Sequence, residues 1–408
     1  MPAPKTGVMV FPRLNGLIGL YRGDGTWAAL STTGQPEPGQ DVCELLTEHF
    51  GSRDRFEVVR RGKSVRIQAG NQERHVQPYL VDVTKPPTTA ELDWRDPTRV
   101  LGLRTAPGLW RAYRRVGPRI DTVRSDREHG ASYLSLRALE ALRDEAASLV
   151  YRADPGGDGV SGLRTTARAL ASCRPEMVVI GNRIDRVMAN ARGADARLLL
   201  DRCRTVHRAA RSADDRAAIH AAKHCAARRV LTISRSETVI RAIETGPPEH
   251  VWIVESRPDR EGVDVARQLA SDVSVTVTID AAVGHVLERK EIDLVMVGAD
   301  AIGPTGSLKN KVGTGTVAHV ANSLGIPVLV VTAADKITYE TITPGPPGDT
   351  AAVATGDGRF TVSYPLFDVI AGDLVDRIVT ERGELDPAGC SSLAKACRER
   401  RSWRAGNR

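Results

Sequence analysis

The chain has 408 residues, 41% of them hydrophobic, which is enough apolar material for more than one buried core, so we expect two or three domains. No run reaches the roughly 18 apolar residues of a membrane span and the first residues lack a signal-peptide pattern, so we expect a cytoplasmic protein. The formal charge of +7 is spread along the chain, so nucleic acid is not an expected partner, and six cysteines without a Cys-x-x-Cys pair argue against a zinc knuckle or a disulfide framework.

Residues 1–105 contain short β-rich runs separated by turn residues, and this texture predicts a small α+β domain. The predicted strands lie at residues 8–11, 16–21, 56–59, 64–68 and 77–83.

Residues 106–227 predict a helical subdomain, because apolar residues recur at helical spacing and strand formers are few. Leu109, Trp110, Tyr113 and Val116 predict the first helix, and the pattern over residues 190–227 predicts two more amphipathic helices.

Residues 228–390 alternate compact apolar runs with helical patterns, which predicts a Rossmann-like, doubly wound parallel sheet within an α/β fold. The predicted strands are residues 230–233, 251–254, 273–279, 294–297 and 327–331. Ligands of such sheets bind at the carboxyl ends of the strands. Residues 391–408 form an arginine-rich tail around Trp403, which we expect to be a solvated terminus.

Polar residues follow the predicted strands. Ser234 and Ser236 open a helix, where free backbone N–H groups attract an anion, although serines here also serve as ordinary helix caps. Arg257, fixed before Pro258, offers a guanidinium for phosphate, or a surface salt bridge.

Asp300 follows Gly298 and Ala299 at the end of a predicted buried strand, where small residues let a ligand approach closely. Its carboxylate is a candidate general acid or base, and the alternatives are capping of the next element or pairing with Lys311. The following segment GSLKNKVGTGT predicts a turn whose Asn310 and Lys311 suit sugar hydroxyls and phosphate oxygens.

Seven motifs in order resemble the superfamily of translation initiation factor 2B α, β and δ subunits, methylthioribose-1-phosphate isomerase and ribose-1,5-bisphosphate isomerase. They are REHGAS, SCRPE, LTISRS, VESRPDREG, IDAAVGHVL, GADAIGPTGSLKNKVGT and TERGELDP, which lie between residues 127 and 387, and the resemblance covers about residues 121–387.

In the isomerases of this superfamily a cysteine and an aspartate handle the protons as an aldose 1-phosphate becomes a ketose, and the resemblance implies Asp300 as the aspartate. Ser234 stands at the cysteine position, and an alkyl hydroxyl exchanges protons far less readily than a thiol. Cys225 precedes the strand and is interpreted as a buried helix thiol, and His129 stands where the isomerases often have arginine. The resemblance further implies a phosphate and sugar site formed by Gly130, Ala131, Ser132, Arg174, Ser236, Asn310 and Lys311.

The amino-terminal domain resembles a Nudix domain, most clearly through HVQPYLVDVT. The acidic helix that holds metal in Nudix hydrolases is degenerate here, because only Glu48 of its three glutamates remains in ELLTEHFG. We therefore expect a specificity or scaffolding role and no metal.

Three functions follow from these motifs. The first is isomerisation of a ribose 1-phosphate with Asp300 and Ser234 as catalytic groups; the second is a regulatory module that binds a phosphorylated sugar or nucleotide without turnover. A Nudix hydrolase ranks last. No cofactor is expected, and the resemblance implies a homodimer or a larger homo-oligomer.

Overall fold

The computed structural model describes residues 5–31, 42–69, 72–84, 92–151, 159–191, 193–345, 347–354 and 360–405. They form two compact units. The first unit lies within residues 1–127, 136–166 and 194–204, and the second within 128–135, 167–193 and 205–408. Within the described ranges, no helix combines the length and the apolar character needed to cross a membrane.

Up to residue 225, the described residues form eight strands and eight α-helices, of which α1 lies between β4 and β5 and the other seven follow β8. In chain order the elements are β1 (Lys5–Leu14), β2 (Leu17–Gly23), β3 (Thr26–Ala28), β4 (Leu30–Ser31), α1 (Val42–Phe50), β5 (Phe56–Arg61), β6 (Val65–Ala69), β7 (Gln72–Val83), β8 (Asp93–Arg95), α2 (Leu109–Val116), α3 (Ile120–Ser125), α4 (Ala131–Tyr151), α5 (Gly159–Ser172), α6 (Val178–Met188), α7 (Ala196–Arg211) and α8 (Ala213–Cys225). All five predicted strands and the predicted helices of this part are therefore confirmed.

The core of the first unit lies on both faces of a mixed sheet. β1 pairs in parallel with β7 and antiparallel with β2, in the order β3-β2-β1-β7-β5. Because successive side chains of a strand point to opposite faces, Phe11 packs in the cluster beneath α2 while Val10 packs in the cluster beside α1. Phe11 meets Tyr113 of α2 edge to face at 5.6 Å between ring centroids. The Nudix resemblance and the domain boundaries stay predictions.

The chain from residue 229 onward alternates strands and helices. Its elements are β9 (Arg229–Ile233), α9 (Glu237–Thr245), β10 (His250–Val254), α10 (Glu261–Leu269), β11 (Val275–Thr278), α11 (Val283–Arg289), β12 (Leu294–Val297), β13 (Ala301–Ile302), β14 (Leu308–Lys311), α12 (Thr314–Ser323), β15 (Val328–Val331), β16 (Phe367–Ile370), β17 (Arg377–Thr380), β18 (Gly383–Leu385) and α13 (Cys390–Arg400).

The main sheet of the second unit has the order β11-β10-β9-β12-β15-β17-β18. All its pairs are parallel except the hairpin between β17 and β18, so the predicted doubly wound sheet is confirmed. After β9 the chain adds β10 and β11 on one side of it, and then β12, β15 and β17 on the other side. The switch point between β9 and β12 is where such sheets leave a crevice for a ligand.

Helices cover both faces of this sheet, and the alternating side chains of each strand pack against the helices on one face and then the other. In β12, Leu294 and Met296 pack with α8, α9 and α10, whereas Val295 and Val297 pack with α11, α12 and α13. Strands that are buried on both sides read as continuous apolar runs, which is the pattern from which they were predicted.

Two features differ from the predictions. The segment predicted as a turn around Asn310 and Lys311 is instead strand β14, which pairs antiparallel with β13 and β16 in a small second sheet. The hairpin of β17 and β18 was not predicted as strand. It begins just before the segment TERGELDP and ends within it.

The prediction of a solvated basic tail is wrong for residues 391–405. They form α13 and a 3₁₀ turn, Arg401–Ala405, that packs on α6. Asp185 of α6 is 3% exposed and accepts hydrogen bonds from Trp403 Nε1 at 2.8 Å and from Arg404 Nε and Nη2 at 2.7 and 2.8 Å. A buried carboxylate needs such partners, and the tail supplies them.

Candidate functional site

A cavity of about 470 Å³ opens at the switch point of the main sheet, a size typical of small-molecule sites. Seven of the ten residues predicted for the site line it. They are Gly130, Ala131 and Ser132 at the start of α4, Ser234 and Ser236 between β9 and α9, Asp300 after β12, and Asn310 on β14. The motifs are far apart in the chain, and the parallel sheet brings their strand ends to one edge.

Ser234 is the first residue after β9, and its backbone holds it in a strained conformation. Its φ is +65°, and that of Ser256, the second residue after β10, is +66°. Left-handed backbone at a residue other than glycine costs on the order of 1–3 kcal/mol and is concentrated at functional sites. The Ser234 N–H donates to the buried Ser256 hydroxyl at 2.8 Å, which fixes this bend.

Two helix N-termini border the cavity. Gly130 precedes α4, and Ser236 caps α9 by accepting a hydrogen bond from Val239 N. The first N–H groups of each helix have no acceptor within the helix, and together with the helix dipole they favour an anion. The cavity therefore provides two places for the oxygens of a phosphate group.

Asp300 follows β12, and its backbone is fixed by the hydrogen bond from its N–H to Lys309 O at 2.8 Å. Its carboxylate lines the cavity and makes no hydrogen bond or ion pair with any residue that the structure describes. The two alternatives considered from the sequence, a cap and a pair with Lys311, are thus not observed. A carboxylate in this position is available to a ligand.

Three predicted residues do not line the cavity. Arg174 pairs with Glu176, and Arg257 is an exposed residue whose backbone N–H donates to Asp280 Oδ2 at 2.9 Å. Lys311 Nζ lies 2.7 Å from Asp259 and 3.0 Å from Glu261. Burial alone would lower the pKa of Lys311, but these two carboxylates outweigh it and raise the pKa.

Asn310 is 7% exposed, and its Nδ2 donates to Thr314 Oγ1 at 3.1 Å, which leaves the side-chain oxygen as an acceptor for a hydroxyl. The N-terminus of α12 beside it is already occupied. Asp368 Oδ2 accepts from Gly313 N at 2.8 Å and from Gly315 N at 2.9 Å. The glycine-rich part of GSLKNKVGTGT is therefore capped from within the protein.

Lys336 is a cation in the cavity that the sequence analysis missed. It follows β15 within a short 3₁₀ turn, and its Nζ donates to Ala299 O at 2.7 Å, next to Asp300. The fifth predicted strand ends at residue 331, so inspecting its carboxyl end as well would have found Lys336. His129 also lines the cavity, stacked on Tyr133 with ring centroids 4.0 Å apart.

Cys225 is buried at the end of α8, and its Sγ donates to Gly246 O at 3.0 Å. Burial raises the pKa of its thiol to about 11. The interpretation of Cys225 as a buried helix thiol is confirmed. Cys225 therefore does not substitute for the isomerase cysteine, whose position is occupied here by Ser234.

Gly298 gives the first testable prediction. A Cβ at this position would lie 2.6 Å from Ser236 Oγ and 2.8 Å from Ser236 Cβ, so Gly298→Ala forces Ser236, the cap of α9, to shift. We expect the Kd for inorganic phosphate, measured by calorimetry, to rise about tenfold, which is the loss of roughly 1.4 kcal/mol. Gly284→Ala is the control, because nothing lies within 4 Å of its added Cβ, and an equal effect of both substitutions would contradict the prediction.

Comparisons with known proteins identify relatives of this chain. The ribose 1,5-bisphosphate isomerase of Haloferax volcanii is 30% identical over 299 residues, which are 67% of this chain and 88% of that protein. The methylthioribose-1-phosphate isomerase of Pseudomonas entomophila is 37% identical over 177 residues, 40% of this chain and 49% of that protein. The crystal structure of translation initiation factor eIF-2B from Pyrococcus horikoshii OT3 superposes with a TM-score of 0.55 at 24% identity, over 66% of this chain and 95% of that one, and so shares the fold. The model of the initiation factor 2 subunit family matches residues 127–387, well over half of the chain, and the chain therefore belongs to that family.

Proposed function

We propose that the chain binds a phosphorylated ribose in the cavity at the switch point and isomerises it from aldose to ketose. The observation that carries this proposal is the Asp300 carboxylate, which lines the cavity and has no hydrogen-bond or ion-pair partner among the residues that the structure describes. A protein that only binds phosphate has no physical need for a negative charge there. The relatives named as isomerases of ribose 1,5-bisphosphate and methylthioribose 1-phosphate support the substrate class.

The cavity offers complementary groups to each part of such a substrate. The N-termini of α4 and α9 and the Lys336 ammonium group suit the phosphate oxygens, and the Asn310 side chain suits a ribose hydroxyl. Arg174, Arg257 and Lys311, which were predicted to bind the substrate, have no part in this arrangement.

The reaction includes four proton transfers, two to the substrate and two from it, and their balance defines what the site must do. The ring oxygen gains a proton as its bond to C1 breaks, and C2 loses its proton to give an enol phosphate. C1 then gains a proton while the hydroxyl on C2 loses one and becomes the ketone. A single carboxylate beside C1 and C2 can carry the carbon-bound proton from one to the other, and we assign this step to Asp300.

The second candidate is a regulatory module that binds the same ligand without turnover. Ser234 at the position of the isomerase cysteine favours it, because an alkyl hydroxyl is a much weaker acid than a thiol and is not ionised near neutral pH. We also propose that the protein forms a homo-oligomer, that it is cytoplasmic and that the Nudix-like domain has a specificity or scaffolding role.

One set of measurements tests the proposed function. Ribose 1,5-bisphosphate, methylthioribose 1-phosphate, ribose 1-phosphate and a nucleoside monophosphate are each tested for binding by calorimetry and for ketose formation by ³¹P NMR. We expect one of the sugar phosphates to bind and to be converted, and Lys336→Met to weaken its binding about tenfold or more. Lys395→Met, an exposed change on α13, is the control.

The outcomes separate the candidates. Binding of a sugar phosphate without conversion supports the regulatory module and overturns the isomerase. Binding of none of these ligands overturns the assignment of the cavity itself.

A further inference from the structure

Ser234 donates its hydroxyl proton to a carboxylate that does not line the cavity. Its Oγ lies 2.9 Å from Glu261 Oε1, and the same carboxylate oxygen lies 3.0 Å from Lys311 Nζ. Lys311 is held on its other side by Asp259 at 2.7 Å. Glu261 is also the first residue of α10, where the helix dipole favours a negative charge. The ammonium group and the helix therefore hold Glu261 as a carboxylate, which accepts hydrogen bonds and has no proton to give.

What Ser234 offers to a ligand is consequently a lone pair. A serine hydroxyl has a single proton, and here Glu261 takes it. The backbone that carries this side chain is fixed, because Ser234 N–H donates to Ser256 Oγ at 2.8 Å. Ser234 lines the cavity, so it can accept a hydrogen bond from a ligand there without donating one.

Two neighbouring side chains also present acceptors to the cavity. Thr314 Oγ1 donates to Lys311 O at 2.7 Å, so it must accept the bond from Asn310 Nδ2 at 3.1 Å, and this fixes the orientation of the amide. Asp300 precedes β13 and lies beside Asn310 of β14, because its N–H donates to Lys309 O at 2.8 Å. The amide oxygen and the carboxylate both accept, and neither suits a phosphate group.

Building on the proposed function, we infer that Ser234 selects the substrate by accepting a hydrogen bond from a ribose hydroxyl, and that Glu261 positions it as an acceptor. A phosphate group is mostly without protons at neutral pH, so its oxygens bind the donors at α4, α9 and Lys336. The hydroxyls on C2 and C3 are common to the three candidate ribose phosphates, and each has a proton to give. Ser234 is thus a specificity-determining residue, and a serine serves at the cysteine position because this role requires neither an acid nor a base.

Ser234→Ala distinguishes an acceptor for a hydroxyl from a donor to phosphate. We expect the Kd for inorganic phosphate to stay within about threefold of the wild type, and the Kd for the sugar phosphate that the wild type binds to rise about tenfold. Both are measured by calorimetry, and retained phosphate binding shows that the variant is folded. Lys336→Met, which removes a donor, should raise both constants. An equal rise of both in Ser234→Ala, or a rise of neither, overturns the acceptor role.

The 2-deoxy and 3-deoxy analogues of the same sugar phosphate identify the hydroxyl. In the wild type, one of them should bind about tenfold more weakly than the parent, because its absence leaves Ser234 Oγ without a donor. In Ser234→Ala that difference should shrink to less than about threefold. Equal binding of the parent and both analogues by the wild type, or differences that Ser234→Ala leaves unchanged, would contradict the inferred contact.

The positioning role of Glu261 is tested through the direction of the hydrogen bond. A fluorine in place of the identified hydroxyl has no proton, so in the wild type it faces the Ser234 lone pair and should bind no more tightly than the deoxy analogue. Glu261→Met frees the Ser234 proton to turn toward the fluorine, and the Kd of the fluoro analogue relative to the deoxy analogue should fall about threefold. Glu261→Gln, which keeps an oxygen toward Lys311 and Ser234, should retain the wild-type ratio.

Asp264→Asn is the matched control, since Asp264 lies on the same helix, is 60% exposed and pairs only with Arg267 among the residues described. A ratio that does not change in Glu261→Met, or that changes as much in Asp264→Asn, removes Glu261 from the positioning of Ser234. All these readouts are binding constants, so binding without conversion overturns the isomerase and leaves the acceptor role of Ser234 intact. Absence of sugar phosphate binding by the wild type overturns both together.

Discussion

Asp300→Asn is expected to lower kcat about 10²- to 10⁴-fold, with the Kd for the sugar phosphate within about threefold of the wild type. The amide has nearly the same shape as the carboxylate but cannot take a proton from carbon. Because the Asp300 side chain makes no hydrogen bond or ion pair with any described residue, removing its charge breaks no ion pair among them and should not perturb the fold. The rate is measured by ³¹P NMR and the Kd by calorimetry.

Asp373→Asn is the control for this experiment, because Asp373 is an exposed residue of the second unit that does not line the cavity. A variant at Asp300 that retains the wild-type kcat removes this residue from the chemistry. A variant that binds tenfold more tightly and still turns over would instead assign Asp300 to specificity, since a carboxylate repels a phosphate group.

The sheet of the second unit was predictable because its strands are buried on both faces. Leu294, Val295, Met296 and Val297 are all apolar, and a run of this kind between helical patterns has few alternatives to a parallel strand. The β17–β18 hairpin was missed because its residues are only partly apolar. Its second strand is half-buried at the sheet edge and includes Glu384, whose partners are Arg377 of β17 and Lys223 and His224 of α8.

Site residues were predictable where they directly follow the end of a strand. They were not predictable where the direction of the side chain decides whether the residue faces the cavity. Asn310 and Lys311 are neighbours on β14, and successive residues of a strand point to opposite faces. Only one of them can face the cavity, and it is Asn310. The turn predicted for this segment hid that alternation, so both residues were assigned to the site.

Hydrogen-bond and ion-pair partners that are distant in the chain could not be predicted from the sequence. Arg404 is one arginine among many in a basic tail, and its contact with Asp185 depends on a tertiary arrangement that composition does not reveal. The same holds for Glu261, which became visible as a partner of Ser234 only when α10 was positioned beside β9.

Asp335→Asn is expected to destabilise the second unit by about 3–5 kcal/mol, because it breaks a buried ion pair. Asp335 is 2% exposed and lies just before Lys336. Its carboxylate accepts from Arg186 Nη1 at 2.9 and 2.7 Å and from Arg183 Nε at 3.3 Å. Arg183 is itself 1% exposed, so the substitution leaves a buried guanidinium without its counter-charge. Urea unfolding measures the loss, and the exposed change Asp373→Asn should stay within about 0.5 kcal/mol of the wild type.

The pH dependence of this loss has a definite sign. Burial alone would raise the pKa of Asp335, but the guanidinium groups of Arg183 and Arg186 outweigh burial and lower it. A carboxyl whose pKa is lower in the folded state contributes its full stabilisation above the unfolded value of about 3.9 and loses it as the pH falls through the folded value. The difference in unfolding free energy between wild type and Asp335→Asn should therefore be constant from pH 6 to 8 and shrink as the solution is acidified below about pH 4. A difference that grows in acid, or one below about 1 kcal/mol at pH 7, would show that Asp335 is not held as an ion in the folded protein.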